Sequence, residues 1–146
     1  MSDCYDSMQA HLEQGLDIAQ AAVPMGMLLA WAVNLQLITP ALAAEHERLV
    51  LRIRYGEVSG SQLLVAAGGD LQRHFFTQPA QHFLDRYYGE YLQEFARLFP
   101  MPPADDQTNY AKVAQWLTAH YMQREAKPGM LSRLRGWWRR SEEESN

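Results

Sequence analysis

Cysteine is nearly absent: Cys4 is the single one in a chain of 146 residues. No internal disulfide can form, so a core rather than crosslinks must hold the fold. Long apolar runs are missing as well. The longest, Ala21 to Val33, has 13 residues and contains Pro24 and Gly26, short of the ~20 that a bilayer-spanning helix needs. The opening Met1 to Asp6 is acidic and lacks the basic n-region of a secretory signal, which predicts a cytoplasmic address. Neither glycine, at nine, nor proline, at seven, reaches the level of collagen-like or disordered chains, and a 47% hydrophobic content is that of a globular protein. A chain of this length buries roughly 70% of its extended surface and so supports one self-sufficient core.

What is present is helical periodicity. Met8, Leu12, Leu16, Ala19 and Val23 recur at three- and four-residue steps, predicting a helix over 7–22 with a break at 22–24, where Pro24 biases Val23 away from helix. Residues 25–37 are apolar on nearly every face and predict a central buried helix, with Gly26 and Ala30 small enough to admit a neighbouring backbone. Thr39-Pro40 reads as an N-cap and first position of a helix to about Tyr55, with Leu42, Leu49 and Ile53 inward. Ser59 and Gln62 fit a capping box for a short helix to Ala67, and Asp70 fits a cap for a piece through Phe76. A long helix is predicted over 79–99, with Leu84, Tyr88, Tyr91, Phe95 and Leu98 as its stripe, and another from Asp105-Asp106 to about Glu125. No alternation persists long enough to demand a strand, although 52–58 is a candidate for a short extended segment. The expected fold is all-α: one domain, 1–126, of six to seven helices, followed by an appendage, 127–146.

That appendage differs in charge. Residues 1–126 hold 14 Asp and Glu against 8 Lys and Arg, net minus six, whereas 127–146 hold five basic and three acidic residues, net plus two. In it Met130, Leu131, Leu134, Trp137 and Trp138 share an arc of about 120° on a helical wheel. This makes an amphipathic segment fit for docking, self-association or an anionic membrane surface.

Candidate chemistry is sparse. The five histidines, His46 among them, show no ligand spacing with each other or with Cys and Asp, so no metal site is predicted. His46 falls on the apolar face of its helix, and His74, His82 and His120 are expected on helix surfaces. Cys4 lies in an expected frayed terminus without a partner base. Gly68-Gly69-Asp70 lacks the strand and the Lys-Ser/Thr of a phosphate loop and reads as a helix stop and cap. Asn34 and Gln36 are expected to bond neighbouring helix ends. No catalytic or cofactor-binding residue emerges. Acidic surface is the more informative feature, because a negative body repels nucleic acid and steers a basic protein toward itself. Glu57, Asp70, Asp105 and Asp106 are the carboxylates expected to face a partner. Trp116 lies about 120° from the centre of its helix's apolar face, so it either packs on a second neighbour or anchors that partner.

The strings Ala21-Ala22-Val23-Pro24-Met25-Gly26-Met27-Leu28-Leu29-Ala30-Trp31, Gly60-Ser61-Gln62-Leu63-Leu64, Gly69-Asp70-Leu71, Phe83-Leu84 with Tyr87-Tyr88, and Asn109-Tyr110 with Tyr121 resemble a family of small bacterial helical proteins of unassigned domain type. The resemblance runs from about Leu16 to Met122, and the segment after Lys127 lies outside it. Such proteins are similar to candidate immunity proteins encoded beside antibacterial effectors of type VI secretion and polymorphic toxin systems, whose toxin domains include His-His nucleases. The resemblance implies no catalytic residue. It implies a cytoplasmic protein that binds and neutralises a cognate toxin, expected to be a basic nuclease domain, without contacting nucleic acid itself. The alternative from the residues is a membrane-peripheral or self-associating scaffold working through the Arg/Trp segment.

Overall fold

Residues 3–125 are described by a computed structural model. The appendage 127–146, and with it the scaffold reading, lies outside the described residues. The chain runs β1 (Cys4–Ser7), α1 (Met8–Glu13), α2 (Ile18–Asn34), α3 (Pro40–Glu45), α4 (Glu47–Arg54), α5 (Gly60–Ala66), β2 (Asp70–Gln72), a single 3₁₀ turn (Arg73–Phe75), α6 (Gln78–Leu98) and α7 (Gln107–Glu125). The fold is thus mostly α-helical, as expected, with one small two-stranded sheet.

Around α2 the other elements assemble. Residues 21–33 are buried without a break, the longest such run among the described residues, with Met25, Leu28, Leu29, Ala32 and Val33 wholly covered. The expected break at Pro24 does not occur, and the helix passes straight through it. Proline inside a helix costs about 3 kcal/mol, whereas each large apolar side chain buried on this helix returns roughly 1.5–3 kcal/mol. Half a dozen such residues outweigh one missing N–H. The helix instead starts earlier, at a capping box: Asp17 Oδ1 accepts from Gln20 N at 2.8 Å while Gln20 Oε1 accepts from Asp17 N at 3.3 Å. Gly15, at φ +94°, separates it from α1, so the predicted helix 7–22 is two helices. At its far end Leu37 N donates to Ala32 O and Gln36 N to Val33 O, with Gln36 left-handed at φ +59°. This is a Schellman stop. Asn34 and Gln36 are exposed there, and Asn34 Nδ2 donates to the Tyr110 hydroxyl in the first turn of α7, a neighbouring helix end as expected.

The predicted helix from Thr39 to Tyr55 also divides. Thr39 caps α3 through Leu42 N, but His46 adopts φ −125°, ψ 40° between α3 and α4. The turn re-aims the second piece so that Val50 joins Ile53 in the core, where a straight helix would have sent Leu49. Residues 52–54 are helical, not extended. Helix α5 begins where Ser59 predicts, without a side-chain cap bond. It crosses α2 at backbone contact: a Cβ on Gly26 would stand 2.5 Å from Ser61 N, and one on Gly60 would overlap Gly26 O.

The sheet is the larger departure. β1 pairs antiparallel with β2 in the register Ser7↔Asp70, Asp6↔Leu71 and Cys4↔Gln72, with an irregularity between Cys4 and Asp6. Asp70 therefore lies in a strand rather than capping a helix, and Cys4 is half-buried in the sheet rather than frayed. Two strands this short carry no periodicity of their own, and the pairing joins residues more than sixty positions apart.

α6 and α7 complete the core. Ala80, Phe83, Leu84, Tyr88 and Tyr91 of α6 are buried, as are Val113 and Leu117 of α7. Trp31 Nε1 donates to Thr118 Oγ1 at 3.1 Å, while the rings of Trp31, Phe83 and Tyr121 stand 5.5–5.7 Å apart centre to centre, within the favourable aromatic range. Among the described residues no helix is long and apolar enough to cross a membrane.

Candidate functional site

At the Asn34 end of α2, the turn between α4 and α5 and the start of α7 close around a cleft of about 270 Å³. Met27, Ala30, Ile53 and Val58 supply apolar lining, and Glu57, Asp105 and Asp106 supply carboxylates. Two segments far apart in sequence deliver these acids: the α4–α5 turn brings Glu57, and the approach to α7 brings Asp105 and Asp106. Glu57 follows α4 and is more than half exposed, with Arg52 Nε at 3.4 Å. Asp105 accepts from Ser61 Oγ at 2.8 Å, which ties the approach to α7 onto α5. Asp106 caps α7, its Oδ1 accepting from Asn109 N at 2.8 Å. Tyr110 also lines the cleft and accepts from Asn34 Nδ2 at 2.8 Å. Burial raises the Tyr110 phenol above its ordinary range, against a smaller lowering by Asn34, so it stays neutral at physiological pH.

Beside the cleft lies an apolar shelf. Asp105 and Ser61 also border a wider depression of about 670 Å³ lined by Ile18, Val23, Val65 and Pro103. Ile18 is 65% exposed, Val65 55% and Tyr55, next to the Gly56-Glu57 rim, 77%. Leu51, one turn before Tyr55, is exposed too. Exposed large apolar residues grouped beside polar ones are the usual composition of an interaction surface.

The structure thus gathers Glu57, Asp105 and Asp106 and leaves two sequence candidates elsewhere. Asp70 is half-buried in β2. Trp116 is half-buried, its ring 3.9 Å from that of His120 and 6.3 Å from that of Tyr91, so it packs on a second neighbour. His120, expected on the surface, is half-buried with it and its Nδ1 lies 2.9 Å from Trp116 O. His46 is half-buried at the α3–α4 junction, with Glu45 at 3.9 Å. Among the described residues no three His, Cys, Asp or Glu side chains group as metal ligands. Burial raises the Cys4 thiol above its ordinary value.

A polar cluster that sequence reasoning missed lies beside the middle of α6. Asp6 accepts from the Tyr88 hydroxyl and stands 2.8 Å from His11 Nε2. The step of five from Asp6 to His11 crosses the β1–α1 junction, and Tyr88 is 82 residues away. No local pattern links the three.

These features define a small α-helical domain bearing an acidic cleft set beside exposed apolar residues. Residues 4–111 match the model of a family described as a domain of unknown function, DUF7832, and the chain belongs to that family. No curated protein and no solved structure matches it. The matched span contains the Gly26–Gly60 crossing and the whole cleft through Tyr110, and it stops before Trp116.

Proposed function

We propose that this protein is a cytoplasmic immunity protein that neutralises one cognate antibacterial toxin effector, a basic nuclease domain, by binding it without catalysis. The observation that carries this reading is the convergence of Glu57, Asp105 and Asp106 on one cleft beside exposed Tyr55, Ile18 and Val65. A nuclease presents a cationic groove to phosphates, and an acidic cleft with apolar margins is complementary to such a groove. The carboxylates accelerate encounter and set orientation. The apolar rim, desolvated on contact, supplies most of the affinity. No cofactor, metal, nucleic acid or membrane takes part in this mode of action.

Co-expression with the effector encoded beside its gene is the test. The wild-type protein should restore growth and co-elute with the toxin in size exclusion, with an association rate that falls steeply as salt rises. Glu57→Lys combined with Asp105→Lys should abolish protection while leaving the circular dichroism spectrum helical. Killing in the presence of the wild-type protein, or full protection by the double variant, refutes the reading.

A further inference from the structure

The Asp6 carboxylate is 11% exposed and surrounded by donors: the Tyr88 hydroxyl, Ser7 N at 2.9 Å on Oδ1, and His11 Nε2 at 2.8 Å on Oδ2. An ionised carboxylate only accepts, so Nε2 must carry the proton of the His11 ring. In the neutral ring Nδ1 is then a bare lone pair. Among the described residues Nδ1 has no hydrogen-bond partner. Tyr88 holds the arrangement in place, since burial raises its phenol well above the ordinary value and keeps it a donor.

His11 lines a groove of about 490 Å³ between α1, α2 and the last turns of α6. The volume is within the roughly 300–1,000 Å³ range of small-molecule pockets. Apart from Asp6, His11, Gln14 and Gln20 its lining is apolar, chiefly Leu92, Phe95, Phe99 and the prolines that follow α6. An apolar trough with a few convergent polar groups is the usual build of a ligand site. The polar end also sets the head group. A carboxylate or phosphate would meet the lone pair of Nδ1 with Asp6 behind it, whereas an alcohol or amine brings the proton that Nδ1 lacks.

We propose that this groove is a small-molecule site for an amphipathic ligand, its apolar ring or chain along Phe95 and Phe99 and its hydroxyl or amine head donating to Nδ1 of His11. The site is separate from the acidic cleft and needs no toxin to be assayed.

The full chain is titrated with three probes that share one apolar body: phenethylamine, phenethyl alcohol and phenylacetate. Calorimetry and ligand-observed NMR should show saturable binding of the amine and the alcohol and at least about tenfold weaker binding of phenylacetate, the consequence of facing an acceptor with an acceptor. His11→Phe should reduce the amine and alcohol to the phenylacetate level. Ala96→Trp, at an exposed position on the groove wall, should abolish all three while leaving Asp6 and His11 untouched. This variant, with the head-group series, decides the matter even if His11→Phe fails to fold. Absence of saturable binding, equal binding of all three probes, or binding by a folded His11→Phe that matches wild type overturns the proposal and reduces the Asp6–His11 pair to a structural tie between β1 and α1.

Discussion

A methyl group on Gly60 would overlap the carbonyl oxygen of Gly26, and one on Gly26 would press on the backbone of Ser61. The two glycines therefore set how closely α5 approaches α2, and both lie within the span 4–111 that matches the family. Overpacking of a rigid core costs about 1–3 kcal/mol, and here the obstacle is backbone that cannot change rotamer. Gly60→Ala should accordingly destabilise by about 3 kcal/mol or more. Gly89→Ala, in the exposed middle of α6 with nothing within 4 Å of the added carbon, should stabilise by up to about 1 kcal/mol through helix propensity alone. Thermal melts of the two variants should move in opposite directions, and a shared direction would contradict the crossing geometry. That Gly26 admits a neighbour is legible from its place in an apolar run. That the neighbour is Gly60 is not, because contact between residues 34 positions apart leaves no periodic trace.

Among the elements, helix starts were far more readable than helix continuity. Thr39, Ser59 and Asp106 each mark an observed start within a residue, because capping is a local competition for unpaired N–H groups. Pro24 and His46 misled for the opposite reason: burial of distant side chains decided whether the helix went on. The capping box at Asp17 and the absent cap bond at Ser59 give a matched pair of variants. Asp17→Ala should cost about 1 kcal/mol in urea unfolding. Ser59→Ala should stay within about 0.5 kcal/mol, as expected for a side chain with no cap to lose. Equal losses would mean that the two starts are held in the same way. The β1–β2 pair is the element that sequence could not supply, since each strand becomes one only by meeting the other.

For the whole molecule, burial of phenols dictates behaviour in alkali. Tyr88 and Tyr91 are raised well above the ordinary tyrosine value, mainly because burial penalises the phenolate, with the Asp6 charge adding to it. A raised folded value stabilises fully below the unfolded pKa of about 10, and that contribution is lost as pH climbs from there toward the folded value, since the unfolded chain releases protons first. Stability should hold between pH 7 and 9 and fall increasingly steeply above about 10. Tyr91→Phe should flatten that fall, while costing about 1 kcal/mol at neutral pH for the hydrogen bond its hydroxyl gives to Pro24 O. Urea midpoints measured across this range check both halves, and an unchanged alkaline slope in the variant would rule out Tyr91 as a contributor.

Composition and 3.6-residue periodicity alone determined that this is a helical domain built on an apolar central segment, because amphipathic spacing is a property of neighbours along the chain. The acidity of the body and the candidacy of Glu57, Asp105 and Asp106 were equally visible, charge being a property of single residues. Only the tertiary structure decided that these three share one cleft while Asp70 and Trp116 do not, that β1 finds β2, and that Asp6, His11 and Tyr88 meet. Each of those outcomes depends on loop closure between remote segments, whose cost is repaid by burial that no local stretch of sequence encodes.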